Sequence, residues 1–233
     1  MEMSYVIDTF FALFAMTLII FMVPGFAMLE SGLVRTKNVT SVLTVNVMIY
    51  ALASLSFLLI GYEIAFGSWD HQDGMSKWAF FLFQMAFVGK VVNIMSGGVS
   101  ERSRILPLGL FTIIVGALIY PLIVNLTWGA NFLEGTLLDI SGLSDLAGST
   151  VIHSTGGWAL LAAILIMGPR YGRYKNGKVK VIPASNIPLV TLGAFLLWIG
   201  WFGFNGGSVG AISSKENADA VALTIMNHKS AGL

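Results

Sequence analysis

The stretch Asp145-Leu-Ala-Gly-Ser-Thr-Val-Ile-His153-Ser-Thr-Gly-Gly-Trp-Ala-Leu-Leu-Ala-Ala-Ile-Leu-Ile-Met167 decides the fold class of this chain. From Ser149 to Met167 it holds no Asp, Glu, Lys or Arg, and its one ionisable side chain is His153. At the rise of an α-helix the run covers about 28 Å, close to the roughly 30 Å hydrocarbon core of a bilayer. An ionisable group at that depth is expensive, which makes His153 a functional candidate from the outset.

The composition agrees with a membrane reading. Of 233 residues 56% are hydrophobic and only 11% charged, and the mean hydropathy is +0.81. Soluble domains carry about 25% charged residues, so the chain is expected to be an integral membrane protein. Five further apolar runs can span, at roughly Thr9–Leu29, Ser41–Ile64, Trp78–Met95, Ile105–Leu126 and Ile187–Gly203. A seventh begins near Ala218 and stops at Leu233, short of a full crossing, so it reads as cut off. Glu2 and Asp8 stand where a signal peptide would carry positive charge, so the first run reads as a retained span. Cysteine is absent, which removes disulfides, thiolate metal sites and a cysteine nucleophile. No basic patch interleaved with aromatics is present, which argues against nucleic acid.

Loop charges set an expected orientation. The connections after the first, third and fifth runs carry Arg35 and Lys37, then Arg102 and Arg104, then Arg170, Arg173, Lys175, Lys178 and Lys180. The alternate connections hold Lys77 and Lys215 beside Glu63, Asp70, Asp73, Glu134, Asp139, Asp145, Glu216 and Asp219, and His71 in a loop expected to be solvated. The positive-inside rule places the basic loops in the cytoplasm and the N-terminus outside. Tyr62, Trp69, Trp78, Tyr120 and Trp128 are expected to form an outer aromatic belt. Glycines cluster at Ser96-Gly97-Gly98, Gly156-Gly157 and Gly203-Phe204-Asn205-Gly206-Gly207-Ser208. Small residues let helices approach closely, yet the last cluster also sets an amide and a hydroxyl at membrane depth, where they must pair or line a cavity.

Five segments carry a resemblance: Pro24-Gly-Phe-Ala-Met-Leu-Glu-Ser-Gly-Leu-Val-Arg-Thr-Lys-Asn38, Phe83-Gln-Met-Ala-Phe87, Ser100-Glu-Arg102, Asp145-Leu-Ala-Gly-Ser-Thr-Val-Ile-His153 and Gly200-Trp-Phe-Gly-Phe-Asn-Gly-Gly-Ser208. In this order they resemble the successive signatures of the ammonium transporter family, the Amt/Mep/Rhesus group. The resemblance implies an all-α polytopic bundle whose members have two inverted five-helix halves and a last helix, and form homotrimers with a pore in each subunit. Residues 9–167 would be the first half and 187–233 the start of the second, so 1–233 reads as an ammonium transporter domain incomplete at its C-terminus. The family is not enzymatic and the resemblance implies neither cofactor nor metal. It implies residence in the cell, or inner, membrane.

By resemblance, ammonium is captured at an outer vestibule matching Phe83, Phe87, Trp128 and Ser208. Aromatic faces attract a desolvating cation by up to about 2 kcal/mol, and a serine oxygen can accept from it. Phe87 and Phe204 match a stacked phenyl gate, through which a hydrated cation does not pass cheaply. Ammonium then crosses by losing or sharing a proton. His153 matches the first of a pore pair of imidazoles; the second would lie beyond Leu233, and neither His71 nor His228 stands in a matching motif. Asp145 matches a buried aspartate that holds the outer end of the helix, and it is also a helix N-cap candidate.

Lys90 departs from the family, which is apolar there. Phe83, Phe87 and Lys90 follow i, i+4, i+7 spacing and share a helical face. A pore-facing Lys90 would repel the permeating cation; the alternatives are a neutral lysine, one that snorkels, or one paired with a carboxylate such as Glu101. A blocked pore with an intact vestibule would suit a second function class, an ammonium sensor coupled to a signalling partner or fused domain. The basic loop Gly168–Lys178 suits anionic lipid and, by resemblance, a cytoplasmic PII-type regulator.

Overall fold

The computed structural model describes residues 2–70, 74–137, 139–140 and 142–231; His71, Gln72 and Asp73 lie outside the described residues, as do Met1, Leu138, Ser141, Gly232 and Leu233. Six helices among the described residues are long and apolar enough to cross a membrane: Glu2–Leu33, Thr36–Phe66, Lys77–Val99, Ile105–Thr127, Ser149–Met167 and Ile187–Gly207. They are the six expected runs, extended at most ends. A seventh, more polar helix runs from Lys215 to Ala231. The only other regular element described is a two-stranded antiparallel hairpin in the basic loop, pairing Tyr174 with Val179. The fold is an all-α polytopic bundle.

Several spans are interrupted where the sequence forbids a continuous hydrogen-bond ladder. In the first span the helix breaks at Phe21 and resumes at Met22, three residues before Gly25 and two before Pro24, which has no N–H to return to the preceding turn. The fourth span widens into a π-helical turn over Val115–Ile119, just ahead of Pro121. The second span widens likewise over Phe57–Gly61. These two wide turns meet at glycines, since a side chain at Gly61 would strike the Gly116 carbonyl and one at Gly116 would strike Ser56.

The third span is the axis of the bundle: 83% of its most apolar stretch is buried, against 28% for the first, second and sixth spans. Outward faces of the other spans remain apolar and exposed, for example Phe10, Val47, Leu59, Leu106 and Leu165, as lipid-facing surface requires. The sixth span closes on the first through glycines. A Cβ at Gly193 would meet the backbone of Gly25 and Leu29, one at Gly200 would meet Met22, and one at Gly203 the Ala15 carbonyl. Asn186 caps the start of this span by accepting from Leu189 N at 3.0 Å.

Two aromatic residues leave the expected belt. Tyr62 and Tyr120 are fully buried and pack with Phe57, Trp69 and Phe81, Tyr62 lying 4.5 Å from Trp69 and 5.3 Å from Phe81 between ring centres. Ring-on-ring burial outweighs an interfacial position for these two. Trp78 stays 60% exposed, as a belt residue would be.

Candidate functional site

Among the cavities of the bundle, two lie to either side of a pair of phenyl rings. The first, of about 360 Å³, is lined by Phe83, Gln84, Phe87, Trp128, Leu146, Ser208 and the flanking backbone of Gly207 and Gly210, with Asp8 at its side. The second, of about 450 Å³, is lined by Asp145, Ser149, His153, Trp201, Phe204, Asn205, Asn227 and His228. Phe87 belongs to the first lining and Phe204 to the second, and their ring centres are 4.7 Å apart in an edge-to-face contact at 64°. Both rings are buried to about 1% exposure.

Each of these side chains is positioned by its own element. Phe83 and Phe87 are one turn apart on the third span, with rings 4.6 Å apart. Trp128 closes the end of the fourth span; its ring centre is 6.2 Å from that of Phe87 and its indole N–H donates to the Asp145 carbonyl at 2.6 Å. Ser208 follows the sixth span and donates its hydroxyl to the Phe204 carbonyl at 2.7 Å, which leaves its oxygen lone pairs free to accept. Gln84 is also buried, and among the described residues its side-chain carbonyl has no hydrogen-bond partner.

Asp145 and His153 are joined by an unusual start to the fifth span. Residues Ser149–Ser154 form a π-helical turn, a device frequent at functional sites, and His153 N donates to the Gly148 carbonyl at 2.9 Å. Gly148 enters the turn with φ +91°, a conformation that favours glycine. The Asp145 carboxylate accepts from the backbone N–H groups of Gly148, Ser149, Thr150 and Val151 at 2.8–3.0 Å. Partial burial pushes the Asp145 carboxyl up, but those four N–H donors outweigh it and hold the group below the usual carboxylate range. The aspartate is thus both a cap and, through its own carbonyl, the anchor of Trp128.

On the far side of the phenyl pair, His153 lies 5.7 Å from Phe204 and stacks on Trp201 at 5.9 Å and 15°. His228 of the last helix packs on the other neighbours of that ring, 6.1 Å from Trp201 and 5.8 Å from Phe202. Sequence reasoning set His228 apart because it matches no motif; the structure brings it to the same cavity as His153. Only tertiary packing could show this, since the two imidazoles belong to helices far apart in the chain. Among the described residues no group of three or more His, Cys, Asp or Glu side chains could hold a metal ion.

Lys90 lines neither cavity. It is fully buried, with its Nζ 5.4 Å from the centre of the Tyr50 ring on the second span. Pairing with Glu101, one expected alternative, does not occur. Glu101 instead accepts from the backbone N–H of Arg35 at 3.1 Å, from Arg35 Nε at 2.9 Å and from Asn38, and its second oxygen is 3.5 Å from Arg170.

A profile of the Ammonium Transporter Family matches residues 10–233. Amt1 of Methanocaldococcus jannaschii, an ammonium transporter, is 38% identical over 227 residues, covering 93% of this chain and 56% of its own length. Ammonium transporter Amt2 of Archaeoglobus fulgidus is 34% identical over 243 residues, covering 93% and 52%. Among solved structures, the Sensor Amt Protein superposes with a TM-score of 0.82 at 31% identity, over 97% of this chain and 60% of that one. The chain spans about half the length of the curated relatives it matches.

Proposed function

The chain belongs to the ammonium transporter family, and from that premise we propose that it takes part in capturing ammonium between Phe83, Phe87, Trp128 and Ser208 and passing ammonia or ammonium beside His153. The observation that carries this reading is the Phe87–Phe204 contact, which divides an aromatic cavity from an imidazole-lined one. A cation at the aromatic side gains from the ring faces and can donate to the Ser208 oxygen and to the unpartnered Gln84 carbonyl. Two buried rings in contact leave no room for a hydration shell, so the cation must shed its water or a proton there. His153 lies directly beyond the rings, 5.7 Å from Phe204.

The basic end, where Arg35, Arg102 and Arg170 gather, is proposed to be cytoplasmic, which puts the aromatic cavity and the N-terminus outside. Residues 9–167 and 187–233 are proposed as the first half and the start of the second half of the family's repeat.

Uptake of labelled methylammonium or ammonium-dependent current in liposomes holding the complete protein tests the reading. Uptake that saturates, and whose half-saturation rises about 2- to 30-fold in Trp128→Leu for the loss of one cation–π contact, supports it. An unchanged half-saturation in that variant overturns the assigned capture site. A second reading, an ammonium sensor with the same fold, is favoured by the likeness to the Sensor Amt Protein over 97% of this chain. Ammonium binding that depends on Trp128, with no uptake or current, would select it.

A further inference from the structure

Lys90 is an ammonium group with 0% exposure in the interior of a membrane bundle, and among the described residues its Nζ has no hydrogen-bond partner. Such a charge is tolerated only where something compensates it. The third span is the place to look, because the helical positions following Lys90 on that side are polar: Asn93, Ser96 and Ser100. Their spacing of three, three and four residues keeps them on one stripe. All three are buried.

That stripe meets a matching one from the first two spans. Asn93 donates its side-chain amide to the Asn46 carbonyl oxygen at 3.0 Å, and Asn46 in turn donates to Glu30 at 3.1 Å. Ser96 donates to the other Glu30 oxygen, and Ser100 approaches the carboxylate at 3.4 Å. Glu30 is itself 3% exposed, and no basic side chain touches it through these contacts. One turn above the Asn46–Asn93 pair, Tyr50 covers Lys90. The first two spans thus stack three layers against the third: Tyr50 with Lys90 and Asn46 with Asn93 from the second span, and Glu30 with Ser96 from the first. One buried lysine and one buried glutamate stand at the two ends, with two carboxamides between them.

The middle layer holds a gap in its hydrogen bonding. Among the described residues Asn93 Oδ1 is a buried acceptor without a donor, and Lys90 Nζ, one turn away on the same helix, is a donor without an acceptor. A water molecule accepting from Lys90 and donating to Asn93 Oδ1 would complete both.

We infer that Lys90, Asn93, Asn46 and Glu30 form one hydrated, charge-compensated site inside the packing of the first three spans, set apart from the aromatic and imidazole cavities. Lysine and glutamate neutralise each other through the two asparagines and bound water. The lysine is therefore held against Tyr50 on the second-span side of the third span, outside the linings of both cavities, and leaves the route past His153 open. Tyr50 is a further titratable group packed on Lys90. The inference does not depend on whether the protein transports or senses.

A double-substitution cycle in the complete protein tests it. Lys90→Met and Glu30→Gln each strand one buried charge and lower the thermal midpoint in detergent by roughly 5–15 °C, while the double variant recovers most of that loss. Additive losses in the double variant overturn the compensation. If a single variant does not fold, the double variant folding where the single fails reports the same coupling, and failure of the double as well overturns it. A high-resolution cryo-EM map of the unaltered protein gives an independent reading: water density between Lys90 Nζ and Asn93 Oδ1 is expected, and a dry contact overturns the hydration. In liposomes the double variant keeps the uptake, or the lack of it, of the unaltered protein. A rise of about tenfold or more would mean that the lysine had been raising the barrier in the pore, which overturns its placement here.

Discussion

At Asp145 a single carboxylate gathers four backbone N–H groups at the mouth of the fifth span while its own carbonyl fixes Trp128. Removing it costs a helix start about 1 kcal/mol and loosens the loop that aims the indole. Asp145→Ala is expected to lower the thermal midpoint and to weaken ammonium capture together, whereas a variant that only uncapped the helix would leave capture intact. The pH dependence has a definite sign. A carboxyl held below its ordinary value stabilises the fold fully above the unfolded value of about 4, and that contribution is lost as pH falls through the lowered value. The difference in thermal midpoint between the unaltered protein and Asp145→Asn should therefore be constant from neutral pH down to about pH 4 and shrink below it. The aspartate and His153 were both legible in the sequence, as ionisable groups just before and inside an apolar run. The indole anchor was not, because Trp128 lies 17 residues away and meets Asp145 through its backbone, which carries no sequence signal.

Between elements, glycines decide how closely helices approach, and their sequence clusters divide into two kinds once neighbours are known. A Cβ at Gly207 would press on Ala15 and on the Phe83 ring, whereas Gly157 has nothing within 4 Å of that position. Gly207→Leu is expected to force the first and sixth spans apart at a cost of about 1–3 kcal/mol and to displace Phe83, lowering both thermal stability and ammonium capture. Gly157→Ala should be neutral in both assays, since no packing is disturbed and Ala favours a helix. In the segment Gly203–Ser208 the glycines pack the bundle while Asn205 and Ser208 face the cavities. Both roles follow from a helix turning one residue in three or four toward each neighbour; which neighbour lies where is settled only by the assembled bundle. The buried row of Lys90, Asn93, Ser96 and Ser100 follows the same rule, but spacing alone set Lys90 on the face of Phe83 and Phe87, and the row's partner Glu30 comes from another span.

At the scale of the whole molecule, the basic loops that the charge pattern sets on one side are joined there by one acid. Glu101, whose side chain is fully covered, binds Arg35 and Asn38 from the first connection and approaches Arg170 from the fifth, while its neighbour Arg102 donates to the Gly168 carbonyl at 2.9 Å. Burial pushes the Glu101 carboxyl up, and the hydrogen bonds from Arg35 and Asn38 and the Arg35 charge hold it below its usual range. Glu101→Gln leaves two guanidinium groups without their shared partner and is expected to cost about 2–4 kcal/mol, read as a lower thermal midpoint. The cost should be present in full above the unfolded carboxyl value of about 4 and fall away as pH drops through the lowered value of the folded protein.

The sequence by itself determined that this chain is a membrane bundle of six spans, which loops share a side, and which family's signatures it carries. Apolar run length, loop charge and local motifs are properties of contiguous residues, so they survive without a structure. Tertiary structure decided where side chains from different spans meet: Phe87 against Phe204 between two cavities, His228 beside the ring that stacks on His153, and Lys90 beneath Tyr50 instead of in either cavity. A helical face is fixed by spacing, but the neighbour it faces is fixed by the packing of the whole bundle, and for a charge buried in a membrane that neighbour is the quantity that sets its role.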